Sequence, residues 1–214
     1  MARTFDKKKR NTQNRKEKPI LLMIAEGQNV TESQYFRSFQ EQHSAFNIKI
    51  LINGHITDPK GLLEFIEEYW VRNGLSEEKG DQAFVVVDLD NDEKKAKVID
   101  GLIKQASKAQ FIVSNPCFEI WFMLHFGYST KSYLNGAAVV TALRSFIPDY
   151  VKNKDVSSIL ADKQPEAIKN AEQLIKYYDG LGMKWPAAEC NPRTDVPIVI
   201  NIINQLKEEN EKKM

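Results

Sequence analysis

Two apolar runs in this chain end in acid. Pro19–Ala25 (PILLMIA) runs into Glu26-Gly27, and Ala83–Val87 (AFVVV) runs into Asp88-Leu89-Asp90-Asn91-Asp92. Each run reads as a buried strand. In open parallel α/β sheets, ligands bind beyond the carboxyl ends of the strands where the strand order reverses. If these two strands are neighbours at that point, Glu26, Asp88 and Asp90 converge. Carboxylates held together repel and raise one another's pKa, and a hard divalent cation relieves the repulsion. Oxygen ligands without His or Cys suit Mg²⁺ or Mn²⁺. Such an ion activates water for phosphodiester hydrolysis. Glu26 can instead act as general acid or base. Gly27 lets the backbone turn tightly and approach a phosphate. Acids after strands also serve as helix caps and turn formers, and Asp92 is read that way, with an accessory place at the site as the alternative.

A second candidate lies at Ser114-Asn115-Pro116-Cys117-Phe118-Glu119. Asn115 precedes proline, is held extended and caps a following helix that has Pro116 at its first position. That helix N-terminus can receive a phosphate, with Ser114 and Asn115 orienting substrate. Glu119, inside an apolar stretch, is costly to bury unpaired. It either meets a cationic partner in an ordinary capped helix or faces the polar site. His43, His55 and His125 are scattered, and His125 reads as a core histidine. The chain has no phosphate-binding GxxxxGK[ST] loop, no GxGxxG, no HExxH, no CxxC and no GxSxG.

The elements that must position these residues alternate over the first half. Strands are expected at 19–25, 47–52, 83–87 and 110–113. A helix starts near Thr31, whose spacing to Gln34 fits a capping box. Further helices open at Asp58-Pro59 and span 93–107. This alternation argues a four-stranded parallel sheet. After Pro116 it gives way to helices: 117–126, 132–146, 165–179 ending at Gly180, and a last one carrying Val196, Val199, Ile203 and Leu206. Asn191–Asp195 reads as a turn or cap. The expected organisation is a basic arm over 1–18, an α/β core over 19–115, a helical part of the same domain over 116–208, and a frayed tail over 209–214.

The chain has 214 residues, 42% of them hydrophobic, so a substantial core is expected. No apolar run has the length of a membrane span, and the N-terminus carries no signal-peptide pattern. Two cysteines, Cys117 and Cys190, make no disulfide framework. A soluble cytoplasmic protein is the expectation. Of 30 basic and 29 acidic residues, 1–18 hold eight and two, a charge of +6, leaving −5 for the body. Such an arm either contacts nucleic-acid phosphates without reading sequence or is simply solvated.

Three strings in order resemble the RloB-like family: Glu26-Gly27 with Thr31-Glu32 and Tyr35-Phe36; Ser114 through Phe122; and Asn191-Pro192 through Asp195-Val196. The resemblance spans about 19–206. It implies a Toprim-like fold for the first half, with Glu26, Asp88 and Asp90 holding metal for phosphodiester chemistry. It implies a place in bacterial phage defence, often beside a separate ATPase. Glu32 matches an acid near the first motif of OLD-type nucleases, or is a favourable charge at a helix N-terminus. The reading is a metal-dependent nuclease acting on DNA or RNA. The alternative is a non-catalytic subunit that binds nucleic acid or nucleotide and partners an ATPase.

Overall fold

The computed structural model describes residues 18–27, 30–41, 44–52, 54 and 56–212. The basic arm, save Lys18, lies outside them, as do His43 and His55. Strand β1 (Ile20–Ala25) leads through helix α1 (Val30–Arg37) to β2 (Asn47–Ile50). Helix α2 (Pro59–Arg72) leads to β3 (Gln82–Asp88), and α3 (Glu93–Gln105) to β4 (Ala109–Asn115). The caps explain where α2 and α3 start. Asp58 accepts from the Gly61 N–H at 2.8 Å, with Pro59 opening α2. Asp92 accepts from the Lys94 and Lys95 N–H groups at 2.7 and 3.1 Å, the cap expected of it.

The sheet has five strands in the order β2-β1-β3-β4-β5. The first four are parallel. The fifth, β5 (Arg193–Thr194), pairs antiparallel with β4, Ser114 opposite Thr194 and Asn115 opposite Arg193. Four strands were expected, with Asn191–Asp195 as a turn; two polar residues have no apolar alternation to betray a strand. The β1–β3 neighbourhood is as expected, with Ala25 opposite Val86. Because β2 lies on one side of β1 and β3 on the other, the strand order reverses between β1 and β3.

Alternate residues face opposite layers. Leu22, Ile24, Val85, Val87 and Val113 join Leu62, Ile66 and Trp70 of α2 and Ile99 of α3 in one core cluster. Leu21, Met23, Phe84, Val86 and Ile112 join the other. There they meet α1, α4 (Glu119–Leu124), α5 (Gly136–Leu143), α6 (Ser157–Leu160), α7 (Gln164–Gly180) and α8 (Val196–Glu211). The helical second half is therefore one layer of the same α/β fold.

Several boundaries differ from expectation. Thr31 lies inside α1 rather than capping it, and its Oγ1 accepts from the Asn153 N–H at 3.3 Å. Helix α7 does end at Gly180 as expected, and the residue of positive φ beyond it is Gly182. Helix α8 continues to Glu211, so residues 209–211 of the expected tail are helical. Among the described residues, no helix is long and apolar enough to cross a membrane.

Candidate functional site

The ends of β1 and β3 bring acid to the crossover, as read from the sequence, but the register splits it. Glu26 continues the Leu22, Ile24 alternation and turns towards α3. There Lys95 Nζ, one turn in from the Asp92 cap, bonds Glu26 Oε2 at 2.9 Å and Asp90 Oδ2 at 2.8 Å. Asp88 continues the Phe84, Val86 alternation and faces the α1 and α4 side. Asp90 and Asn91 have φ of 56° and 58°, so the chain leaves the strand at Asp88. The acids at 88, 90 and 92 thus do not alternate along one strand as the sequence suggested. Asn and Asp tolerate this left-handed turn better than most residues. Gly27, at φ 66°, makes the turn after Glu26, and apart from its chain neighbours no atom of the described residues lies within 4 Å of where a Cβ would stand.

Glu26, Glu32 and Asp88 line one cavity of about 220 Å³, together with Val30, Thr31, Val86, Lys152 and Asn153. Burial raises the Glu32 pKa to about 7, helped by the charges of Glu119 and Glu26. Burial also raises Asp88 well above the usual carboxylate range, with Glu32, Glu119 and Asp90 adding to it. Glu26 is raised by burial too, against the lowering effect of Lys95. Burial would lower Lys95 and Lys152, but the facing acids outweigh it and raise both.

Glu119 is 1% exposed. Its Oε1 accepts from Tyr150 Oη at 3.2 Å and faces Lys152 Nζ at 3.7 Å, while Oε2 has no hydrogen-bond partner among the described residues. Glu119 has thus found a cation, as one branch of the expectation held, and it stands within electrostatic reach of Glu32 and Asp88.

Ser114 and Asn115 do something other than expected. Helix α4 begins at Glu119 and has no side-chain cap, so Asn115 caps nothing and Pro116 is not helical. Asn115 is the last residue of β4 and fully buried. Its Oδ1 accepts from the Asn91 N–H at 3.0 Å, and its Nδ2 donates to the carbonyls of Ala188 and Cys190 at 2.9 and 3.0 Å. Ser114 Oγ and Thr194 Oγ1 share a hydrogen bond of 2.7 Å. Asn191 Nδ2 donates to Asn91 Oδ1 at 2.7 Å, and Asn91 Nδ2 donates to the Tyr133 carbonyl at 3.0 Å. Asn91, Asn115 and Asn191 therefore knit three loops together. Buried and satisfied, Ser114 and Asn115 support the site rather than line it. Asp195 makes a similar tie, accepting from Trp185 Nε1 at 2.8 Å and the Val113 N–H at 3.3 Å.

The RloB-like protein family model matches residues 21–203. The chain belongs to the RloB-like family. The match takes in every strand residue but Ile20 and every site residue named above. No curated protein and no solved structure matches this RloB-like chain.

An oxygen-only donor set with more buried acid than facing base fits the chemistry of a hard divalent cation. As the side chains stand, no three His, Cys, Asp or Glu among the described residues are grouped to hold a metal. Lys95 already bridges two of the three acids named from the sequence. Neither Lys95 nor Lys152 was singled out there, because a lysine on a helix or loop reads as solvated. The spacing from the Asp92 cap to Lys95 was the available clue.

Proposed function

We propose that this RloB-like protein is a metal-dependent phosphodiesterase acting on nucleic acid, with a Toprim-like use of the β1 and β3 ends. The observation that carries the reading is the cavity at the strand crossover lined by Glu26, Glu32 and Asp88. Asp88 and Glu32, with Glu26 at the β1 end, would hold Mg²⁺ or Mn²⁺; Asp90 stands off on Lys95. A bound ion supplies activation of water and charge neutralisation at the phosphate. The chain's own residues do the rest. Lys95 fixes the Glu26 and Asp90 carboxylates, and the Tyr150 hydroxyl fixes Glu119. The asparagine ties hold the β3 and β4 ends in register. A role in phage defence and a partner ATPase belong to the same proposal and rest on the family resemblance.

A second reading is favoured by Lys95, whose ammonium neutralises Glu26 and Asp90 without any metal: a binding subunit with no catalysis of its own. One experiment separates the two. Cleavage of single- and double-stranded DNA and RNA is followed with Mn²⁺, alongside thermal unfolding with Mn²⁺ and with EDTA. The hydrolytic reading expects cleavage by the native chain, none by Asp88→Asn, and a Mn²⁺-dependent rise in Tm that Asp88→Asn loses. In EDTA, Asp88→Asn unfolds at an equal or higher temperature, because it removes like-charge repulsion. Nucleic-acid binding without cleavage or Mn²⁺ response gives the site to the second reading.

A further inference from the structure

The Lys152 side chain is 56% exposed, yet it lines the acidic cavity. Its backbone is anchored on both sides. Tyr150, fully buried, donates through Oη to Glu119 and accepts through its carbonyl from Arg144 Nε at 2.9 Å. The Asn153 N–H donates to Thr31 Oγ1 at 3.3 Å. A loop fixed at both neighbours holds a lysine at a set place over the site. Its ammonium stands 3.7 Å from Glu119 Oε1, beyond good hydrogen-bond length, and its three donors are not consumed there. Lys95 contrasts with it, being only 16% exposed in its side chain and bonded to two carboxylates.

A second observation concerns size. At about 30 Å³ per water, 220 Å³ holds roughly seven waters. That is room for a phosphate group and some of its hydration. The cavity combines an available cation, Lys152, with a volume of phosphate scale.

We propose that Lys152 is the ligand for a backbone phosphate of the bound nucleic acid, positioned by Glu119 and Tyr150, and that the site grips backbone rather than base. This rests on the nucleic-acid reading above and adds to it a residue and a recognition mode. Lys152 carries the phosphate; Glu119 is a positioning residue that acts through it.

The test is binding of a fluorescein-labelled single-stranded oligonucleotide, by anisotropy, to the full chain with Ca²⁺ in place of Mn²⁺, at several salt concentrations. Lys152→Ala weakens binding about tenfold and lowers the log–log salt slope by about one, because one phosphate contact is lost. Lys152→Arg restores both. Lys104→Ala, near the far end of α3, changes neither. Homopolymers of different base are affected alike. If the native chain binds and Lys152→Ala matches it in affinity and slope, the assignment of Lys152 is overturned while the function proposal stands. If the native chain binds no nucleic acid, the function proposal itself falls, and this inference with it.

Discussion

Glu32 shows how one residue reports on the whole acidic site. Burial first, and then the neighbouring acids Glu119 and Glu26, raise its pKa from 4.5 to about 7. The folded chain therefore holds this proton more tightly than the unfolded chain does. Its contribution to stability is complete below about pH 4.5 and is lost as pH rises through 7. His125, lowered to about 4 by burial, acts in the opposite sense and loses stability as pH falls. It is present in both proteins and cancels when native and Glu32→Gln chains are compared. The two should match in urea denaturation near pH 4, and the variant should be more stable at pH 8 by on the order of 1–3 kcal/mol. Parallel stability curves across that range would show that Glu32 carries no such proton. At this scale Glu26 and Asp88 were legible because each ends an apolar run. Glu32 was legible only through the family string, since an acid in a first helical turn has an ordinary reason to be there. Lys95 and Lys152 lie far in sequence from Glu26 and Glu119, the acids they face, so only the short step from Asp90 and the Asp92 cap to Lys95 was there to be read.

At the scale of elements, the long apolar runs and their caps were readable. Asp58-Pro59 opens α2 and Asp92 caps α3 as expected. The ends of β4 and α4 were not. The stretch Ser114-Asn115-Pro116 has the composition of a strand-to-helix cap, yet β4 continues through Asn115 because β5 pairs with it there. Nothing local to 114–116 announces a partner strand some 80 residues away. The consequence is measurable. A lost cap costs about 1 kcal/mol. Removing the buried Asn115 amide instead strands the Asn91 N–H and the Ala188 and Cys190 carbonyls, with desolvation of each group at about 1–3 kcal/mol. Asn115→Ala should therefore lose clearly more than a cap, roughly 2–4 kcal/mol in urea denaturation. A loss of 1 kcal/mol or less would mean that water replaces the amide in this network.

At the scale of the molecule, the two halves of the sequence share one sheet. The face formed by Leu21, Met23, Phe84, Val86 and Ile112 is covered by α1 and by the helices that follow Pro116. Ile200 and Ile203 of α8 and Trp121 of α4 are fully buried in the same cluster. The buried-type pattern of 117–126 made this docking legible, although the helix itself is only six residues long. A chain ending at residue 115 would leave that face in water, and it would also lack β5, Tyr150 and Lys152. It should not fold, because an open sheet needs both faces covered. In the full chain, Ile203→Ala should cost about 2–5 kcal/mol, as large-to-small changes in a closed core do. The loss should appear equally in both halves. Tryptophan fluorescence samples Trp70 of α2 and Trp121 of α4, on opposite faces of the sheet, together with Trp185, which packs against both clusters, and far-UV circular dichroism samples every helix. If the layers are one cooperative unit, the two signals fall together in urea and Ile203→Ala moves both midpoints by the same amount. Two separated transitions, with only the later-numbered helices responding to Ile203→Ala, would mean that the helical layer melts from a sheet able to stand without it. The acidic site would then survive its loss only on the β1, β3 and α3 side, where Lys95 already holds Glu26 and Asp90.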